Sequence, residues 1–352
     1  MELFQAAGQA TLVGSMPHAD PERAVSVVLD TMPHIPVWPQ LPKYPAEQMM
    51  VQYLEGLPGV RRDAGRVWVD TEGADEEILS FYEDYLAVDG SPSLLDQSRF
   101  AMGEETGRTF RLFLDRLAER PARWSAVKGQ IVGPFTLLSG LTDQGRRALL
   151  FDERMRDVVV KHLAMKGLWQ VRRLARWAKP VILFLDEPAL AGFGTSAFIT
   201  VSAEDIKALL TQVAEPIRKA GALVGVHVCA NTDWGLIFDC PLDIINLDAY
   251  QFFDRFALYR TQCFRFLDRG GIVAWGMVPT ADEAVIDAVS AEDLAQRWTD
   301  QVKGFCGAER SVDAVLAQSL FTPSCGCGTL SERHAERVAA LTRDLSAILR
   351  GA

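Results

Sequence analysis

Short β-rich runs recur along the whole chain and alternate with longer amphipathic stretches, a rhythm that few folds accommodate. The runs cover residues 11–15, 35–39, 125–132, 181–186, 222–229, 243–247, 271–276 and 318–322. Alternation of this kind gives a parallel sheet with helices packed outside it. The helical stretches carry start signals of their own. Asp20-Pro21-Glu22 offers an N-cap, a proline in the first turn and an acid near the positive end of the dipole. Ser202-Ala203-Glu204-Asp205 opens a stretch that is apolar at Ile206, Leu209, Leu210 and Val213. Further helices are expected over residues 94–119, 146–178 and 333–350. Eight strands with intervening helices suit one (β/α)8 TIM barrel over residues 1–352, with an open doubly wound sheet as the alternative.

The first third breaks this rhythm. Pro33, Pro36, Pro39, Pro42 and Pro45 punctuate residues 32–46, and proline has no N–H to give to a sheet ladder. This segment is expected to run as an extended loop over one face of the barrel. It would open an irregular insertion or lid over about residues 32–93. A formal net charge of −10 repels phosphate backbones and argues against a nucleic-acid partner. No stretch approaches the ~18 uncharged apolar residues of a membrane span. Met1-Glu2-Leu3-Phe4 has neither the basic start nor the apolar core of a secretory signal, so the expected compartment is the cytoplasm.

Polar residues gather where the runs end: Gly14-Ser15, Asp186-Glu187, His227 with Cys229, Asp248, and Cys325 after the last run. In a parallel barrel these ends share one rim, the face on which active sites are built. His227 and Cys229, at i and i+2 on a strand, point to the same side. Cys325 sits in the Gly-rich turn Ser324-Cys325-Gly326-Cys327-Gly328. One imidazole and two thiolates are a soft, tetrahedral-leaning set that suits Zn2+, with Asp248 as a possible fourth ligand. Ordinary explanations exist for each pattern alone. A His-x-Cys is common in buried strands, and a Cys-x-Cys turn can be a redox pair or plain surface. Cys240, Cys263 and Cys306 stand apart and read as small buried apolar residues.

Five segments, in order, resemble the catalytic half of cobalamin-independent methionine synthase, within the superfamily that includes uroporphyrinogen decarboxylase. They are Thr11-Leu12-Val13-Gly14-Ser15-Met16-Pro17, Lys128-Gly129-Gln130-Ile131-Val132-Gly133-Pro134, Leu185-Asp186-Glu187-Pro188-Ala189-Leu190, His227-Val228-Cys229 and Pro323-Ser324-Cys325-Gly326. The resemblance implies a TIM barrel and a zinc ion held by His227, Cys229 and Cys325. It also implies homocysteine as methyl acceptor, with Ser15 and Asp186 holding the amino-acid end and Asp186 facing the ammonium. Met50-Val51-Gln52-Tyr53 resembles the family's Met-Val-Glu-Tyr, so Gln52 would contact the substrate with its charge removed.

There are departures. Asp248 stands where the family has a glutamate, and a late family histidine has no counterpart in Trp275-Gly276-Met277-Val278-Pro279-Thr280. The resemblance covers only the family's catalytic barrel, so the chain is expected to lack the N-terminal one, as in short "core" methionine synthases. That implies a methylated corrinoid protein as donor in place of a methylfolate. Three rival readings follow from the same residues. One is methylation of another thiol, of the coenzyme M kind. Another is a metal-free porphyrinogen-type decarboxylase, disfavoured because residues 1–58 hold one arginine, Arg23. The third is a non-catalytic zinc- or thiol-binding partner of a corrinoid protein. Lys128 is given no role.

Overall fold

In the computed structural model, which describes residues 4–63, 65–120 and 124–351, the strands are β1 (Gln9–Ala10), β2 (Val60–Asp63), β3 (Arg66–Val69), β4 (Val127–Val132), β5 (Val181–Asp186), β6 (Leu223–Val228), β7 (Ile244–Leu247), β8 (Ile272–Val278) and β9 (Ser319–Pro323). β2 and β3 form an antiparallel hairpin. The other seven make one curled parallel sheet in the order β1-β9-β8-β7-β6-β5-β4. The expected α/β barrel is therefore present. Its first run is displaced: the paired residues are Gln9 and Ala10, and the chain continues extended, with Thr11 N donating to Phe321 O at 3.0 Å.

The gap between β1 and β4 is filled by the Pro-rich segment. Only part of it lies over a face; residues 34–40 stand in the barrel wall. Val37 bridges to Lys128 and Ser15 bridges to Gln40, both in parallel sense. Pro36 and Pro39 offer carbonyls but no N–H, so a regular ladder cannot run through them. Ser125 N donates to His34 O and Lys128 N to Pro36 O, each at 2.9 Å. Side chains from inside the barrel satisfy other carbonyls along this seam. Gln130 Nε2 donates to Trp38 O at 3.0 Å and Thr11 Oγ1 to Ile35 O at 2.9 Å. Gly14 lies against Gln130 at φ +148°, where a Cβ would come 2.8 Å from that side chain. Gln130→Leu should strand the Trp38 carbonyl and lower unfolding free energy by about 1–3 kcal/mol in a denaturant titration. A variant as stable as the parent would show that the seam closes without this bond.

Alternate strand residues face inward. Near the bottom of the barrel Ile35, Ala126, Ile182, Phe184, Ile244, Ile272, Ala274 and Leu320 form an apolar plug of their own. One step further along the strands the same inward positions turn polar, with Lys128, Asn246 and Thr322, and then Asp186 and His227. Apolar filling below and polar side chains above place any chemistry at the C-terminal mouth. The insertion is pinned to the barrel by the helix Glu153–Leu174. Its buried His162 bonds Tyr53 O at 2.8 Å, and Lys166 Nζ donates to Ala101 O at 3.1 Å. Among the described residues no helix is long and apolar enough to cross a membrane.

Candidate metal centre

β6 delivers His227 at its end and Cys229 just beyond it, and the turn after β9 brings in Cys325. The ligand atoms of these three residues lie within 4.8 Å of one another. Asn246, the register partner of His227 on β7, sets the imidazole. Its Nδ2 donates to Ala274 O and to Thr322 Oγ1, both at 2.8 Å, so its Oδ1 is the acceptor turned to His227 Nδ1 at 2.6 Å. Nδ1 therefore carries the proton, and Nε2 is left as a buried atom without a hydrogen-bond partner. The Cys325 thiol beside it and then the His227 imidazole hold the Cys229 thiol far below its ordinary range. Cys325 is pushed the other way, by the Cys229 sulfur and by burial. Burial pulls the imidazole down, but the Cys229 sulfur and the Asp186 charge leave His227 above its usual value. A directed nitrogen lone pair and two sulfurs form a donor set that fits zinc. Cys327 lies outside the group, fully buried, with its thiol raised to about 12 by burial.

The three residues open into a cavity of about 320 Å³ that Ser15 and Asp186 also line. Asp186 Oδ1 is buried and has no hydrogen-bond partner. Burial raises its carboxyl above the ordinary range, against the opposing pull of His227 and Lys128. Ser15 Oγ accepts from Gly328 N at 3.3 Å, and its carbonyl takes Cys327 N at 2.9 Å, which ties the first rim loop to the cysteine turn. Asp248 is not in the ligand group. It caps the helix Ala249–Ala257, its two oxygens accepting from Gln251 N at 2.9 Å and Gln251 Nε2 at 3.0 Å. Gln52 is buried behind the cavity wall, accepting from Gln40 Nε2 at 2.6 Å and donating to Thr106 O at 2.7 Å.

Several residues near the site were assigned no site role in the sequence reading. Gln40, Glu47 and Met49 form the wall that folds down from the insertion. Glu47 is held by Leu41 N at 3.1 Å and by Thr109 N and Oγ1 at 3.1 and 2.7 Å. Glu187, next to Asp186, faces the opposite side of β5. It accepts from Phe135 N, Thr136 N and Thr136 Oγ1 at 2.9, 2.7 and 2.6 Å, fixing the start of the helix Pro134–Gly140. Lys128 is fully buried in the barrel, with Nζ donating to Val13 O at 2.6 Å and lying 4.3 Å from the Phe184 ring centre. Burial lowers its pKa and the Asp186 charge opposes this. Asn246 was the most accessible of these from sequence, a lone amide in Ile244-Ile245-Asn246-Leu247 with inward parity.

No family model and no curated protein matches this sequence. Solved structures do. A methyltransferase from Methanosarcina mazei aligns over 93% of this chain and 86% of its own, with TM-score 0.55 and 12% identity. A protein from Listeria monocytogenes, described as a candidate vitamin B12-independent methionine synthase, aligns over 93% and 85% with TM-score 0.49 and 14% identity. A B12-independent methionine synthase from Shewanella sp. W3-18-1 aligns over 68% and 67% with TM-score 0.47 and 18% identity. The likeness is one of fold. It rests on the Methanosarcina protein, and at 12% identity it carries over no residue's role.

Proposed function

We propose that this chain is a zinc-dependent methyltransferase whose acceptor is a small thiol, homocysteine first, giving methionine. One observation carries the reading. The His227, Cys229 and Cys325 donors lie on the cavity that Asp186 also lines, and one oxygen of Asp186 has no hydrogen-bond partner. Such a cavity suits a molecule with a thiol at one end and an ammonium at the other. Bound by the three residues, zinc would keep the acceptor sulfur anionic at neutral pH, where a free thiol of pKa about 8.5 is mostly protonated. Asp186 fixes the other end of the acceptor, and Ser15 with the turn it braces forms the floor, so the sulfur is presented in one orientation. In the transfer a sulfur lone pair forms the new S–C bond. The bond from methyl to its donor breaks with the electron pair staying on the donor, and the thiol proton has already left to solvent.

The carboxylate wall disfavours the rivals. A decarboxylase for polyanionic porphyrinogens needs cations, and none of the described residues lining the cavity is Lys or Arg. An acidic thiol of the coenzyme M kind would meet Asp186 and Glu47. A methylated corrinoid protein is the proposed donor. The test is methyl transfer to homocysteine from methylcobalamin, free or protein-bound, beside methyltetrahydrofolate. Turnover with the folate alone would exclude the corrinoid and leave the acceptor chemistry intact. Binding of homocysteine with no turnover from any donor would favour a non-catalytic partner. Asn246→Leu should free the His227 ring and weaken zinc binding about 10–100-fold in a chelator competition. Unchanged affinity would remove Asn246 from the centre.

A further inference from the structure

We infer, on the reading of the site as a metal centre, that Lys128 is a positioning residue for Cys325, acting through the loop that follows β1. Lys128 does not line the cavity, so its part in the chemistry is indirect. It is fully buried inside the barrel, where its Nζ donates to Val13 O at 2.6 Å and lies 3.5 Å from Gln130 Oε1. Taking an amine out of water costs free energy that its hydrogen bonds must offset. Filling the barrel does not call for one. Ala126, two residues earlier and of the same parity, is apolar and belongs to the plug below.

The bond matters for where it ends. Val13 leads through Gly14 to Ser15, and the cysteine turn is seated on Ser15. The Ser15 carbonyl accepts from Cys327 N at 2.9 Å, and its Oγ accepts from Gly328 N at 3.3 Å. Gly326 packs so closely that a Cβ there would stand 2.1 Å from Ser15 Oγ. Cys325 therefore rides on a turn whose next three residues all rest against Ser15. Gly14, between anchor and seat, has φ +148°, a conformation open to glycine. The path of this loop thus depends on what holds it on either side. Gln40 holds the outer side, its N donating to Gly14 O at 3.0 Å and its O accepting from Met16 N at 2.8 Å. Lys128 holds the inner side from within the barrel. An amine donates this bond whether charged or neutral, so the role does not depend on its protonation.

Zinc affinity by chelator competition and the absorption spectrum of the cobalt-substituted protein are measured for the parent, Lys128→Met and Lys166→Met. Methionine keeps much of the lysine stem and removes the donor. Lys166 is the matched control: it is equally buried, its Nζ donates to Ala101 O at 3.1 Å, and neither residue lines the cavity. Lys128→Met should weaken zinc about tenfold, the low end of the range for residues that orient metal ligands. It should also shift the thiolate-to-cobalt charge-transfer bands. Lys166→Met should leave both readouts unchanged, whatever it costs in stability. Unmoved bands in Lys128→Met, or zinc weakened equally in both variants, would overturn the inference. Should Lys128→Met not fold, Lys128→Gln, whose amide ends one atom short of the amine, carries the same expectation and the same refutation. A parent that binds neither zinc nor cobalt would overturn the reading of the site itself, and the inference with it.

Discussion

Cys229→Ser and Cys325→Ser should each purify without zinc, whereas Cys327→Ser should keep about one zinc per chain. The contrast turns on geometry within one short turn. Cys325 sits within 4.8 Å of the His227 and Cys229 ligand atoms. Cys327, two residues on, is buried, and burial holds it as a neutral thiol. A serine hydroxyl at either ligand position replaces a soft thiolate with a hard, protonated oxygen that zinc binds weakly. Elemental analysis of the three purified variants reads the outcome directly, and circular dichroism shows whether each is folded. Zinc lost equally in Cys327→Ser would mean that the turn offers the other sulfur. Zinc kept in Cys229→Ser would remove the strand-end pair from the centre altogether.

The grouping of His227, Cys229 and Cys325 was legible because it depends on strand parity, the most regular property of a β-strand. His227 and Cys229 at i and i+2 share a side whatever the fold's details, and a parallel barrel places the end of every strand on one rim. The same regularity let the β5, β6, β7, β8 and β9 runs be located within a few residues. Residues 41–53 have no such period. They fold as short turns, including Pro45–Glu47 and Val51–Tyr53, and which side chains face the cavity is set by tertiary packing. Gln52 accordingly points to Gln40 and Thr106, while Glu47 and Met49 supply the wall. The Pro-rich wall segment was hard to place for a related reason. Its prolines forbid a ladder, and the side chains that complete the seam, Gln130 on β4 and Thr11 just after β1, come from other parts of the sequence. Asp248 shows how one residue type serves two ends. An aspartate after a strand reads as a possible ligand, and here it also opens a helix, with its oxygens accepting from Gln251. The hairpin β2–β3 and the helix Asp75–Gly90 lay inside a segment read only as irregular.

Asp186→Asn should weaken homocysteine binding by about 1.5–3 kcal/mol, the range for a hydrogen bond to a charged group, and should leave zinc in place. The substitution keeps the shape of the side chain and removes its charge. Asp186 stands at the end of β5, beside His227 in register, but it is not one of the grouped ligands. Its effect should therefore fall on the acceptor and spare the metal. A thiol without an amino group supplies the control, since it has nothing for Asp186 to hold and should bind parent and variant alike. Calorimetric titration of both thiols into both zinc-loaded proteins gives the four affinities, and their double difference is the Asp186–ammonium coupling. A coupling near zero, with both thiols weakened together, would make Asp186 a structural member of the barrel mouth. A full coupling with unchanged zinc content would tie the ammonium to Asp186, whose buried Oδ1 has no hydrogen-bond partner among the described residues.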